Sequence, residues 1–135
     1  MRYPVAIVLA LVIPVAAAAA DAGRDKAVEA AKAWLALVDA GDYAQSWKAA
    51  STLFQSHVTE AQWEANAKAA RDPFGAVVAR KVAGTSFSTT LPGAPDGQYA
   101  VVTFDTKFVN KAAGTETIAL AMDAGSWKAA GYHVR

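Results

Sequence analysis

The chain contains no cysteine among its 135 residues. That absence excludes disulfides, a thiolate nucleophile, a thiolate metal site and the lipid-bearing cysteine of a processed lipoprotein terminus. Stability has to come from the core alone. Charge of one sign is lacking too: 13 Lys and Arg stand against 12 Asp and Glu, a formal net charge of +1, with no like-charge block. Nucleic acid and anionic lipid are held by clustered Lys and Arg, so composition points to neither as a partner. Histidine is limited to His57 and His133, a pair that lacks a third close ligand for a metal. A G-x-S-x-G elbow, a phosphate-cradling glycine loop and an H-E-x-x-H run are all missing. Nucleophile-and-base, nucleotide and zinc-hydrolase chemistry therefore have no sequence support, and neither a cofactor nor a metal is expected.

Long apolar runs are absent but for one. Met1-Arg2 leads into an apolar stretch from Val5 to Val15, followed by Ala16 to Ala20 and then Asp21. A positive start, a short greasy segment and a small-residue tail make a secretory signal peptide. The segment from Val5 to Ala20, broken by Pro14, falls short of the roughly 20 residues that span a bilayer. Cleavage is expected after Ala20, with the site after Ala22 second, leaving no stable membrane anchor. The expected organisation is a signal peptide over residues 1–20 and one domain over 21–135, exported to the periplasm or beyond the cell. Arg2 leaves with the signal, so twelve basic residues balance twelve acidic ones in the domain.

The domain opens with helical spacing. Val28, Ala31, Leu35 and Val38 predict a helix over about residues 25–40, widened by Trp34 and Leu37 and ended by Gly41. Asp42 and Gln45 have capping-box spacing for a short second helix presenting Tyr43, Trp47 and Ala50. Ser51 to Val58 reads as irregular. Thr59 and Gln62 repeat the capping box and start a third helix over 60–71, with Trp63, Ala67 and Ala70 inward, stopped by Asp72-Pro73. The period then changes to that of strands. Residues 76–91 form a long strand with a bend at Gly84. Residues 98–110 alternate, with Ala100, Val102, Phe104, Thr106 and Phe108 on the core face and Asp105 and Lys107 on the other. Residues 110–114 make a turn, and 115–123 place Ile118, Leu120 and Met122 together. After a hairpin at Ala124-Gly125, residues 126–134 close the sheet with Trp127 and Tyr132 at opposite parity. The expected fold class is α+β: three N-terminal helices on a curved four-stranded antiparallel sheet.

The run AWLALVDAGDYAQSW, from Ala33 to Trp47, resembles the opening of cone-shaped α+β domains related to nuclear transport factor two and ketosteroid isomerase, the cystatin-like class. More closely, the chain is similar to the bacterial domain of unknown function 4019. That resemblance also rests on LPGAPDGQYAVVTFDTKFVNK (Leu91 to Lys111), Glu116-Thr117, and Trp127 with Gly131-Tyr132. The resemblance implies a sheet wrapped around helices to leave a pocket, but the family brings no activity, ligand or catalytic residues. Shape, not chemistry, is what it implies.

An isomerase-like pocket needs a carboxylate base and a donor for the enolate oxygen. Asp105, His133 and Tyr43 are the candidate trio. Asp105 reads more simply as a solvent-side residue paired across the sheet, and His133 as an exposed residue near the chain end. His57 precedes the third helix and reads as a helix-end contact. Glu60 and Glu64 share a helix face, with Lys68 spaced to pair with Glu64. Trp34, Trp47 and Trp63 fall on apolar helix faces and read as core. The favoured function is an exported envelope binding or interaction module for a small apolar ligand or an envelope protein, its oligomeric state left open. The alternative is an isomerase- or cyclase-like enzyme using the cone pocket. A polar residue at an inward sheet position would discriminate the two, and on the second strand Thr106 alone qualifies.

Overall fold

The computed structural model describes residues 15–135, with side chains from Asp21 onward. Most of the expected signal peptide lies outside the described residues. Four helices, α1 (Val15–Asp39), α2 (Tyr43–Ala49), α3 (Thr52–His57) and α4 (Glu60–Arg71), precede four strands, β1 (Val77–Ser88), β2 (Tyr99–Phe108), β3 (Lys111–Asp123) and β4 (Ser126–Val134). The strands pair antiparallel in the order β1-β2-β3-β4. This is the α+β meander that the change of hydrophobic period implies.

Helix α1 begins at Val15 rather than near Asp25, because the alanine-rich stretch ahead of Asp25 favours helix and contains no proline. Gly41, at φ +74, ends it. The Asp42 carboxylate accepts the Gln45 N–H at 3.2 Å to start α2. Among the described residues the reciprocal bond of a capping box forms at α4, between Thr59 and Gln62, but not at α2.

The stretch read as irregular contains α3. Ser51 Oγ accepts the Phe54 N–H at 3.1 Å, and the Asp123 carboxylate, 71 residues away, accepts the Thr52 N–H at 2.8 Å. That backbone bond holds the Asp123 carboxyl below its ordinary value. A cap supplied from the β3–β4 turn leaves no trace in the local sequence.

The core lies between the helices and one face of the sheet. Leu35 and Val38 of α1 pack with Val102, Phe104, Ile118 and Leu120. Trp34 and Trp63 both bond to the fully buried Ser46: Trp34 Nε1–H donates to its carbonyl at 2.9 Å and Trp63 Nε1–H to its hydroxyl at 2.8 Å. Trp47 is half-buried and donates to the Val58 carbonyl. The three helical tryptophans are core residues, as their spacing implies.

Strand β2 buries Ala100, Val102, Phe104, Thr106 and Phe108 and turns Asp105 and Lys107 outward. Four other expectations need correction. Residues 111–114 belong to β3, because the β2–β3 hairpin turns tightly at Val109 and Asn110. Ala70 is exposed and its neighbour Arg71 is the buried one. Met122 keeps the parity of Ile118 and Leu120 but is 37% exposed, near the hairpin end of the sheet. Trp127 and Tyr132 both pack against the core. A bulge in β4 sets Ala129 opposite Leu120 and Gly131 opposite Ala119, leaving Ala130 over, and one extra residue reverses side-chain parity.

Candidate functional site

The interior of the fold is organised around Glu116, which is completely buried on the inner face of β3. It was not singled out from the sequence as a site residue, although it has the parity of Ile118 and Leu120, and that alternation is the signal that could have found it. The Thr106 hydroxyl donates to Glu116 Oε1 at 2.6 Å, and the Tyr132 hydroxyl to Oε2 at 2.5 Å. Arg80, from β1, donates Nε–H to Oε1 at 2.8 Å. The same guanidinium forks onto Asp39, at the end of α1, at 2.8 and 3.0 Å. Arg71, at the end of α4, donates to Asp39 at 2.8 Å and approaches Glu116 Oε2 at 3.8 Å. Two arginines and two carboxylates therefore neutralise one another, tying α1 and α4 to all four strands.

Electrostatics follows from this geometry. Burial opposes ionisation of Asp39, but Arg80 and Arg71 outweigh it and hold its carboxyl below the ordinary value of 3.8. Burial, reinforced by Glu116, pushes the Tyr132 phenol far up, so Tyr132 stays neutral and keeps the proton that it donates to Glu116. The Arg71 guanidinium lies 5.1 Å over the Phe108 ring and that of Arg80 5.9 Å over Phe104. Gly114 faces Thr106, and a Cβ there would come within 2.7 Å of the Phe108 ring. Arg71 Nε and Nη1 are buried without a hydrogen-bond partner, and Nη1 faces Glu116 across the 3.8 Å gap.

The candidate trio is not brought together. Tyr43 is half-buried beside this cluster; burial raises its phenol, with Arg71 lowering it and Asp72 and Asp39 raising it. Asp105 is exposed on the opposite face of the sheet, in register with Lys81 and Thr115. His133 is exposed and pairs with Thr117, so it shares the face of Asp105 with β3 between them. His57 Nδ1 lies 2.9 Å from the Leu53 carbonyl of its own helix. Glu64 and Lys68 are both exposed and, among the described residues, form no ion pair. Among the described residues no three His, Asp or Glu side chains cluster as a metal site would need.

Open concavities lie elsewhere. One groove, of about 560 Å³, is lined by Phe87, Ser88, Thr89, Gln98, Tyr99 and Trp127. The register sets Phe87 opposite Ala100 and Trp127 opposite Met122, both on the inner face. Phe87 and Trp127 approach across the two middle strands to 6.0 Å between ring centroids. Phe87 is nonetheless 48% exposed. Trp127 also borders a hollow against Ala30, Ala33 and Trp34, next to α1. A second groove, of about 530 Å³, crosses β1, β2 and β3 among Lys81, Asp105, Lys107 and Thr115. Those four side chains point outward, away from the helices.

No curated protein matches the chain. A family model described as a protein of unknown function, DUF4019, matches residues 30–132, from the middle of α1 to Tyr132 near the end of β4. The match takes in the Glu116 cluster and both grooves, and the chain belongs to the DUF4019 family.

Proposed function

We propose that this DUF4019 domain is an exported binding module, cone-like in the manner its sequence resembles, that takes a small apolar or aromatic ligand against the Phe87–Trp127 pair. The carrying observation is that wide-open aromatic groove on the inner side of the sheet. Its volume is that of small-molecule sites, and its polar rim of Ser88, Thr89 and Gln98 offers orienting contacts around an apolar floor. A half-exposed phenylalanine facing a tryptophan is an unusual use of surface, since large exposed apolar groups mark interaction sites.

The interior speaks for binding rather than catalysis. Both Glu116 oxygens accept hydrogen bonds, and Asp39 is held ionised by two arginines. A general base needs a carboxylate within reach of substrate, and Glu116 has no exposed surface. Asp105 and His133 face away from the aromatic groove, which removes them from chemistry there.

Titration of the exported protein with Nile red, an uncharged apolar dye, tests this reading. The dye should shift its emission to the blue and quench tryptophan fluorescence, and Trp127→Ala should weaken binding about tenfold, the loss of a ring's stacking and burial. Unchanged affinity in a folded Trp127→Ala variant would refute it. So would turnover of a small carbonyl compound that disappears in folded Asp105→Asn or His133→Ala.

A further inference from the structure

Three basic side chains distant in the sequence share the outer face at one end of the sheet. Lys81 comes from β1, Lys107 from β2 and Arg135 from the residue after β4, whereas Lys111 pairs with the inward Phe108 and takes no part in this face. Lys81, Asp105 and Thr115 are paired in register across three strands. Thr115 and Arg135 exchange both backbone hydrogen bonds, at 2.8 and 3.0 Å, so Arg135 completes the row. The adjacent row on the same face carries Thr103, Thr117 and His133. Asp105 is the one side-chain carboxylate in these rows, since Asp96 and Asp123 lie at the opposite end of the sheet. Among the described residues, Lys81, Lys107 and Arg135 form no ion pair.

We infer that this outer face binds a linear acidic polysaccharide, lying across the strands from Lys81 toward Arg135. Three features choose that partner. Cations without partners, on a chain that is otherwise nearly neutral, give the face a local positive potential that attracts an anionic chain. Strand spacing places the Lys81 and Arg135 backbones about 14 Å apart, farther than one sugar ring extends, so simultaneous contact requires successive units of a polymer. Three threonine hydroxyls and the Asp105 carboxylate between the cations offer hydrogen bonds to sugar hydroxyls, while the small Ala79, Ala112 and Ala113 leave a shallow bed of about 530 Å³ beneath. The two rows carry no Phe, Tyr or Trp, and stacking on such rings is how single-stranded nucleic acid is held. This surface is separate from the aromatic groove and does not depend on it.

Calorimetric titration of the exported protein with polygalacturonate, galacturonate monomer, dextran and single-stranded DNA tests the inference. Polygalacturonate should bind at least about tenfold more tightly than the monomer, because the second contact is intramolecular. Binding should weaken as salt rises, and dextran should give no heat. Lys81→Ala combined with Lys107→Ala should weaken polygalacturonate binding about tenfold or more, with the circular dichroism spectrum and Nile red affinity unchanged. Equal affinity for monomer and polymer, no binding to polygalacturonate, DNA binding as tight as that of polygalacturonate, or an unaffected folded double variant would each overturn it.

Discussion

Glu116→Gln removes one charge from the centre of the molecule while keeping the side chain's shape. In the native protein Oε1 receives Thr106 and Arg80, and Oε2 receives Tyr132. A glutamine there fits best with its amide nitrogen toward Tyr132, whose hydroxyl can turn and accept. The charge balance cannot be repaired: Arg71 and Arg80 are left with Asp39 alone. Breaking a buried pair by removing one partner costs about 3 to 5 kcal/mol, since the uncompensated charge stays buried. A domain of this size holds about 5 to 15 kcal/mol in all, so the variant should melt roughly 12 °C or more below the parent. Urea denaturation followed in parallel by tryptophan fluorescence and far-ultraviolet circular dichroism measures the loss, with coincident transitions confirming two-state unfolding. Glu64→Gln, on the exposed face of α4, is the control and should change stability by no more than about 0.5 kcal/mol. A cost below about 1 kcal/mol for Glu116→Gln would refute the reasoning, because it would make the pair equivalent to a surface ion pair.

Acid stability should report on Asp39. Its folded carboxyl lies below the ordinary value of 3.8, so its contribution is complete above the unfolded value and is lost as pH falls through and below it. Asp39→Asn should therefore be less stable at neutral pH yet lose less between pH 5 and pH 3, and parallel urea midpoints over that range would count against the ion pairs. Trp34→Ala should cost about 3 to 5 kcal/mol through lost burial and the cavity left beside Trp63 and Phe54; a neutral result by the same denaturation would show that α1 packs by another face. Export predicts that protein from the envelope fraction begins at Asp21, or at Gly23 as second choice, by mass spectrometry. Retention of Met1 to Val15 would sink the signal-peptide reading.

The parts of this fold legible in the sequence are those set by local periodicity. The alternation of β2 placed Phe104 and Thr106 inward, and the spacing of Leu35 and Val38 gave the buried face of α1. The proline after Asp72 marked the end of α4. Features made by pairing distant segments left no local mark. The cap on α3 comes from Asp123, and the bulge at Ala130 brings Trp127 and Tyr132 to the same side. Thr106 was visible as the inward polar residue of its strand, whereas its partner Glu116 was missed, although the parity of Ile118 and Leu120 could have found it. Arg80 and Arg71, by contrast, look like ordinary surface cations until α1, α4 and β1 converge. The same holds for the basic face: Lys81, Lys107 and Arg135 form no cluster in the sequence, and only the antiparallel register collects them. Composition read as near-neutral therefore missed a patch that strand pairing creates.

The central claim is that ligand enters the Phe87–Trp127 groove and leaves the charged interior closed. A high-resolution crystal structure of the protein recovered from the cells that make it, with whatever molecule it carries, tests that claim most directly. The account predicts density for a small apolar molecule in the groove against the Phe87–Trp127 pair, with Glu116 still bonded to Arg80, Thr106 and Tyr132. A ligand seated instead among Glu116, Arg71 and Tyr132, with those bonds broken, would contradict it.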